Sequence, residues 1–306
     1  MLKYTIRRLL MMIPVLLGVT FLSFAIAKVT PGDPARLALG TMATKEQIAQ
    51  FHRINHLDDP FLVQYGRFLW NALHGDLGTS YRSKTPVIQD ILARFPSTLQ
   101  LTVLALAFSI SLGIPAGIIA ATSRSKLVNS ATMVLALIGL SIPGFWLAII
   151  LLLVFGVKLH WISTMGGEGF KNLIFPAFAI AFGSAGSLAR LTRSSFLEVL
   201  SDDYVRTARA KGLRDRIVTL RHVLPNALIP IVTVLGMEFG FMLGGAVFIE
   251  NVFSRPGLGR FAVQAIATRD YPQVQGMVVF TAAIFAFMNL LVDLSYGYLD
   301  PRIRYD

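Results

Sequence analysis

Between residues 97 and 122, and again between 127 and 157, the chain runs without a single charged side chain. Each run is longer than the roughly 20 apolar residues that a helix needs to cross the hydrocarbon of a bilayer. Four more apolar runs occupy 9–27, 172–189, 223–249 and 271–292, and among these only Glu238 carries a charge. A backbone in lipid must satisfy its own hydrogen bonds, so the pattern predicts an all-α integral membrane protein with six transmembrane helices. Composition agrees: 54% of residues are hydrophobic and 15% charged, against about 25% charged in soluble domains.

The first run, with Lys3, Arg7 and Arg8 before it and Ala25-Ile26-Ala27 at its end, imitates a cleaved signal. Signal cores span only about 7–15 apolar residues, so 9–27 reads as a retained helix. The expected organisation is therefore 1–27 as N-terminus and first span, 28–96 as a large external loop, and 97–306 as a five-helix core. Pro143-Gly144 should kink the 127–157 span.

Lysine and arginine in the gaps give the orientation. Fifteen lie on the N-terminal side and five in the opposite short loops, with the eight in 28–96 set aside because that loop is long. Both termini and the 190–222 loop are expected in the cytoplasm. The net charge of +11 is spread between spans rather than gathered on a soluble face, which argues against nucleic acid and for a lipid bilayer as surroundings. There is no cysteine, so thiolate catalysis and disulfides are excluded. No HExxH, GxSxG or P-loop spacing is present, and His52 and His56 alone make a poor metal site; neither an enzyme nor a metal centre is expected.

Two features stand out inside the apolar runs. A charge at mid-span costs about 2.5–3.5 kcal/mol on insertion scales, so Glu238 should face the protein interior or water. It reads equally as a pathway-lining group and as a hydrogen-bonded glutamate at a helix contact. Gly236, Gly240 and Gly244 form a small-residue stripe suited to close helix packing.

The stretch 201–226, SDDYVRTARAKGLRDRIVTLRHVLPN, is a charged interruption of the apolar chain. Ser201 or Asp202 is placed to cap a short helix, and Asp202 and Arg206 are spaced for an i,i+4 pair. Tyr204, Thr207, Ala208 and Lys211 share a small, tapered face suited to a protein groove. Gly212 offers a left-handed stop. A second helix from about Asp215 should present Ile217, Leu220 and Leu224 on one stripe, ending at Pro225.

With these residues in view, the stretch resembles the cytoplasmic loop of ABC-transporter membrane subunits. Their pattern is EAA, three residues, Gly, nine residues, then I-x-L-P. Arg206-Thr207-Ala208, Gly212 and His222-Val223-Leu224-Pro225 keep the spacing while replacing the Glu, the first Ala and the Ile. PGDPA, GDLGTSYRSKTPV, YVRTARAKG, ENVFSRPGLG with RDYP after it, and LDPRIRY look like the B-type permease of the dipeptide/oligopeptide/nickel family.

The resemblance implies a type I ABC importer (MetI-like) architecture in a bacterial inner membrane. It also implies a second homologous permease subunit, two ATP-binding subunits that hold ATP and Mg, and an external substrate-binding protein. This chain itself would carry no cofactor. The helix near Asp203–Lys211, with Gly212, Leu224 and Pro225 behind it, would couple ATPase motion to the membrane core. Cargo would be di- or oligopeptides, with glutathione or nickel chelates as alternatives. A stand-alone secondary transporter would call for several intramembrane ionisable groups or an inverted repeat, and neither is evident.

Overall fold

The computed structural model describes residues 2–30, 32–40, 42–167 and 169–299. The tail motif at 299–305, with Arg302 and Arg304, thus lies almost wholly outside the described residues, as does Pro31 of the PGDPA motif. Among the described residues the structure is helical, apart from an isolated bridge between Thr79 and Pro86.

Five helices are long and apolar enough to cross a membrane, or six if one bent pair is a single span. They are α1 (Leu2–Val29), α5 (Val87–Thr122), the bent pair α6 (Lys126–Ser141) and α7 (Gly144–Leu151), α8 (Lys171–Leu200), α11 (Leu224–Val252) and α13 (Tyr271–Leu299). Shorter helices are α2 (Pro34–Leu39), α3 (Lys45–Ile54), α4 (Phe61–Leu73), α9 (Asp203–Ala210), α10 (Asp215–Ile217) and α12 (Leu258–Ala267). π-helical turns at Leu152–Lys158 and Val218–Val223 extend α7 and join α10 to α11.

The kink expected at Pro143-Gly144 is a break of 93°. Ile142 is extended (φ −86°, ψ 118°), as the residue before a proline tends to be, and Pro143 has no N–H to continue the ladder. The α8 helix is longer than the 172–189 expected from hydropathy. Its polar continuation through Arg190 and Arg193 remains helical to Leu200 because nothing in it breaks a helix.

The chain forms two compact units. One comprises Thr98–Arg255 and, among the described residues, 288–299. Its centre is α8, whose small residues admit other helices at backbone distance. A Cβ on Gly113 of α5 would lie 2.8 Å from the Ala185 carbonyl, and one on Gly139 of α6 would lie 2.8 Å from the Phe182 carbonyl. Gly117 and Gly186 leave no room for a Cβ against Thr192 and the Ala136 carbonyl. Packing of this kind replaces the hydrophobic driving force that lipid removes. Leu101, Ala105, Ala177, Ala181, Met242 and Ala246 fill the contact of α5, α8 and α11.

The other unit comprises Leu2–Ser97 and Pro256–Phe287. Asp33 caps α2, accepting the Ala35 N–H at 2.9 Å, with Pro34 at the first helical position. Thr44 and Gln47 close a reciprocal capping box on α3. Leu77, Val87, Ile91, Leu258, Phe261 and Met277 form the core, with the Arg94 guanidinium 4.4 Å over the Phe261 ring. Of the α4 aromatic residues, Trp70 is exposed, whereas Tyr65 and Phe68 pack against Phe24 of α1. His52 and His56 differ in setting, His52 being partly buried and His56 exposed. His52 is held between Asp33 (2.9 Å) and Asp58 (3.0 Å), and His56 faces Asp59.

Candidate functional site

Helix α9 is short and charged, and its burial follows its few apolar residues. Val205 is fully buried and Ala208 is 6% exposed, both packed with Phe196 of α8, Val218, Val223 and Ala227. The expected outward face is corrected on this point. Tyr204, Thr207 and Lys211 are exposed, but Ala208 points inward, because with Val205 it supplies the apolar stripe that docks the helix.

The capping and pairing also differ from expectation. Asp202 occupies the N-cap position in extended geometry without a side-chain cap, and the Ser201 hydroxyl donates to the Glu198 carbonyl of α8. Arg206 pairs with Asp203 at 3.7 Å, not with Asp202; at this spacing both reach solvent together. Gly212 is left-handed, φ +77°, and ends the helix as expected.

The segment after Gly212 corrects a second expectation. Ile217 and Leu220 are exposed, while Val218 and Val223 are fully buried. The π-helical turn Val218–Val223 is the reason: its i→i+5 pairing brings residues five apart onto one face, which a 3.6-residue period cannot foresee. Leu224 and Pro225 then open α11.

Four polar contacts fix the loop as one piece. Asn226 donates to the Tyr204 hydroxyl at 2.9 Å and to the His222 carbonyl at 3.1 Å. Arg209 and Arg124 both approach Asp215, at 3.8 and 3.5 Å. Thus α9 is joined to the first turn of α11 and to the connection between α5 and α6.

Higher in the same unit, the Ser184 hydroxyl of α8 donates to Glu238 Oε2 at 2.6 Å. Glu238 is half-buried, so one carboxylate oxygen is occupied at a helix contact. Of the glycine stripe, Gly244 is exposed and has no atom within 4 Å of a built Cβ. Among the described residues nothing packs closely on Gly244, while close approaches gather on α8.

Two buried acids were not singled out from sequence. Glu250 is fully buried and accepts the Thr98 hydroxyl at 2.6 Å; the backbone N–H of Arg255 donates to the Glu250 carbonyl at 2.8 Å. Burial lowers the pKa of the Arg255 guanidinium, with the Glu250 charge opposing. Asp270 is 2% exposed and accepts from the Ser80 hydroxyl and the Tyr81 and Arg82 backbone N–H groups. Both acids lie in motifs that had been noticed, ENVFSRPGLG and RDYP, but polar residues at the edge of an apolar run gave no sign of burial. No cluster of three or more metal-ligating side chains exists among the described residues.

The described residues thus form an apolar helical bundle interrupted by one charged helical insert, and the comparisons with known proteins place such an arrangement in the membrane component of a transporter. The chain belongs to the family described as binding-protein-dependent transport system inner membrane component, which matches residues 113–305, and the N-terminal domain of that family matches 1–102. It is 45% identical to the glutathione transport system permease protein GsiC of Pectobacterium atrosepticum and 40% identical to the dipeptide transport system permease protein DppB of Alkalihalophilus pseudofirmus, each over all of both chains. Among solved structures, an inward-facing MetNI methionine ABC transporter chain aligns with 69% of this chain and 97% of its own, at TM-score 0.60 and 17% identity. An amino acid ABC transporter chain aligns with 70% and 94%, at TM-score 0.52 and 19% identity. The protein is therefore an ABC-importer permease of the dipeptide/oligopeptide family with the type I importer fold.

Proposed function

We propose that this permease forms half of an ATP-driven import path for short peptides, and that α9 is the helix through which partner ATPases move it. Two ATP-binding subunits carrying ATP and Mg, a second homologous permease and an external binding protein complete the transporter. The chain itself hydrolyses nothing. Both termini and the 201–226 loop face the cytoplasm, and 28–96 faces outward.

The observation that carries this reading is the two-sided character of α9. Its inner side is locked onto α8 and α11 through Val205 and Ala208, while Asp203, Tyr204, Arg206, Thr207 and Lys211 stand exposed. A part fastened to the bundle on one side and open on the other is suited to pass on a push. ATP binding would draw the two permeases' coupling helices together and turn the path outward; hydrolysis would reset it. Leu224 and Pro225 connect this part directly to the helix that carries Glu238.

The relatives named for glutathione and dipeptides support a small peptide as cargo, and glutathione, a tripeptide, is the first to test. Glu238 would line the path, with Ser184 fixing one oxygen and leaving the other for cargo or water. The test is uptake into proteoliposomes by the complex purified through this chain, with its binding protein outside. ATP-dependent accumulation of glutathione or a dipeptide is expected. A complex that purifies without any ATPase subunit would refute the proposal.

A further inference from the structure

We propose that the unit formed by Leu2–Ser97 and Pro256–Phe287 contains a binding site for a short peptide, held by its free carboxylate in the cavity among α1–α4 and the start of α13. This rests on the peptide reading of the cargo and adds a place where the permease itself receives it. The cavity has a volume of about 560 Å³, within the usual range of small-molecule sites.

Its wall has the three kinds of group a peptide needs. Phe24, Phe68, Leu77 and Pro272 supply an apolar side for a side chain. Asn71 and Gln275 line it with side-chain amides that have no partner among the described residues, and such amides match a peptide bond in both donor and acceptor. Tyr271 also lines it, and its hydroxyl is buried without a hydrogen-bond partner among the described residues. Leaving a buried hydroxyl unpaired is unfavourable, so a ligand that pairs with it gains affinity.

The charge of the wall selects the carboxylate. Lys28 and Arg67 both line the cavity. Lys28 Nζ donates to the neutral Leu57 carbonyl at 3.1 Å rather than to a carboxylate. Arg67 spends one arm on Asp59 at 2.8 Å. The one carboxylate in the wall, Asp33, is already committed to the Ala35 N–H and to His52, which Asp58 also holds. The cavity therefore offers cations to a ligand and withholds its anion. Asp33, His52 and Tyr81, all in this wall, also have displaced pKa values, as functional clefts often do.

The test is calorimetric titration of the complex, purified through this chain and held in lipid nanodiscs without binding protein, using alanyl-phenylalanine, its C-terminal amide and inorganic phosphate. Saturable binding of the dipeptide is expected, with the amide weaker by about tenfold or more, since a charge-assisted contact is lost. Lys28→Gln and the conservative Tyr271→Phe should each weaken binding by roughly fivefold. No saturable binding, equal binding of the amide, displacement by phosphate, or unaltered affinity in both variants would overturn the inference. So would variants that lose affinity only for the binding protein, because the cavity would then be a socket for that partner. Uptake by the same preparations with binding protein separates the two proposals. Uptake without cavity binding refutes only the site, whereas absence of uptake in the unsubstituted complex refutes the cargo reading.

Discussion

The Ser80 hydroxyl donates to the Asp270 carboxylate at 2.5 Å across 190 positions of sequence. The same carboxylate accepts the backbone N–H groups of Tyr81 and Arg82, so one buried acid organises the whole turn before α5. Two motifs that are far apart in the chain, GDLGTSYRSKTPV and RDYP, thus form one structure. Asp270→Ala would remove the acceptor of all three donors, of which only the Arg82 N–H keeps another in the Ser80 hydroxyl, and should destabilise this unit by about 1–3 kcal/mol for each donor orphaned. Ser80→Ala keeps the Tyr81 and Arg82 bonds to Asp270 but removes the hydroxyl that accepts the Ser83 N–H at 2.9 Å, and should cost less, about 1–3 kcal/mol. Thermal unfolding of the purified protein in detergent, together with protease sensitivity at 80–85, checks the order.

Helix α9 should be more sensitive on its inner side than on its outer side. Val205→Ala removes two methyl groups from a fully buried site and should cost about 1–2 kcal/mol. Ala208→Trp has no room and should detach the helix, whereas Thr207→Ala, exposed, should leave stability within about 0.5 kcal/mol. Hydrogen exchange over 203–212 measures both effects directly.

At Gly212 the backbone is left-handed and no neighbour lies within 4 Å of a built Cβ. Any loss there is conformational, so Gly212→Ala should cost about 1 kcal/mol and Gly212→Asn less, since asparagine tolerates this region. If alanine and asparagine were equally harmful to local exchange rates, crowding rather than backbone strain would govern the position.

His52 gives the Leu2–Ser97 part a pH dependence. Its hydrogen bond to Asp33 raises its pKa, burial opposes, and Asp58 adds to the rise. For Asp33, burial acts upward but is outweighed by His52, the Ala35 N–H and Arg36, so its pKa is lowered. A raised histidine contributes fully below its unfolded value of 6.5 and loses that contribution as pH climbs through its folded pKa. A lowered aspartate contributes fully above 3.8 and loses it as pH falls through its folded pKa. The contact should therefore be strongest between those two values. Protection from hydrogen exchange at 33–58, taken relative to the intrinsic rate at each pH, should be greatest in that window, and His52→Gln should flatten the profile.

Much of this was legible in the chain because lipid demands long uncharged runs, and such runs leave little ambiguity. The span at 97–122 lies within α5, and that at 223–249 within α11 apart from Val223, for that reason. What was not legible came from departures from regular periodicity. The exposed Ile217 and Leu220 follow from a π-helical turn, and at Pro143 the kink was legible but its size of 93° was not. Glu250 and Asp270 escaped notice because their partners, Thr98 and Ser80, lie 152 and 190 positions away. Spacing reveals neighbours along a helix, but not a pair that the fold brings together.

The central claim is that α9 touches an ATP-hydrolysing partner through its outer face. The natural sequence has no cysteine, so Thr207→Cys introduces a single thiol there. Treated with a short thiol-to-amine crosslinker, the assembled complex should join this permease to an ATPase subunit, and the yield should change with bound nucleotide. A control thiol at Ser83 should give no such product. An intact, active complex whose Thr207→Cys thiol reacts with a soluble maleimide but never crosslinks to an ATPase would contradict the account.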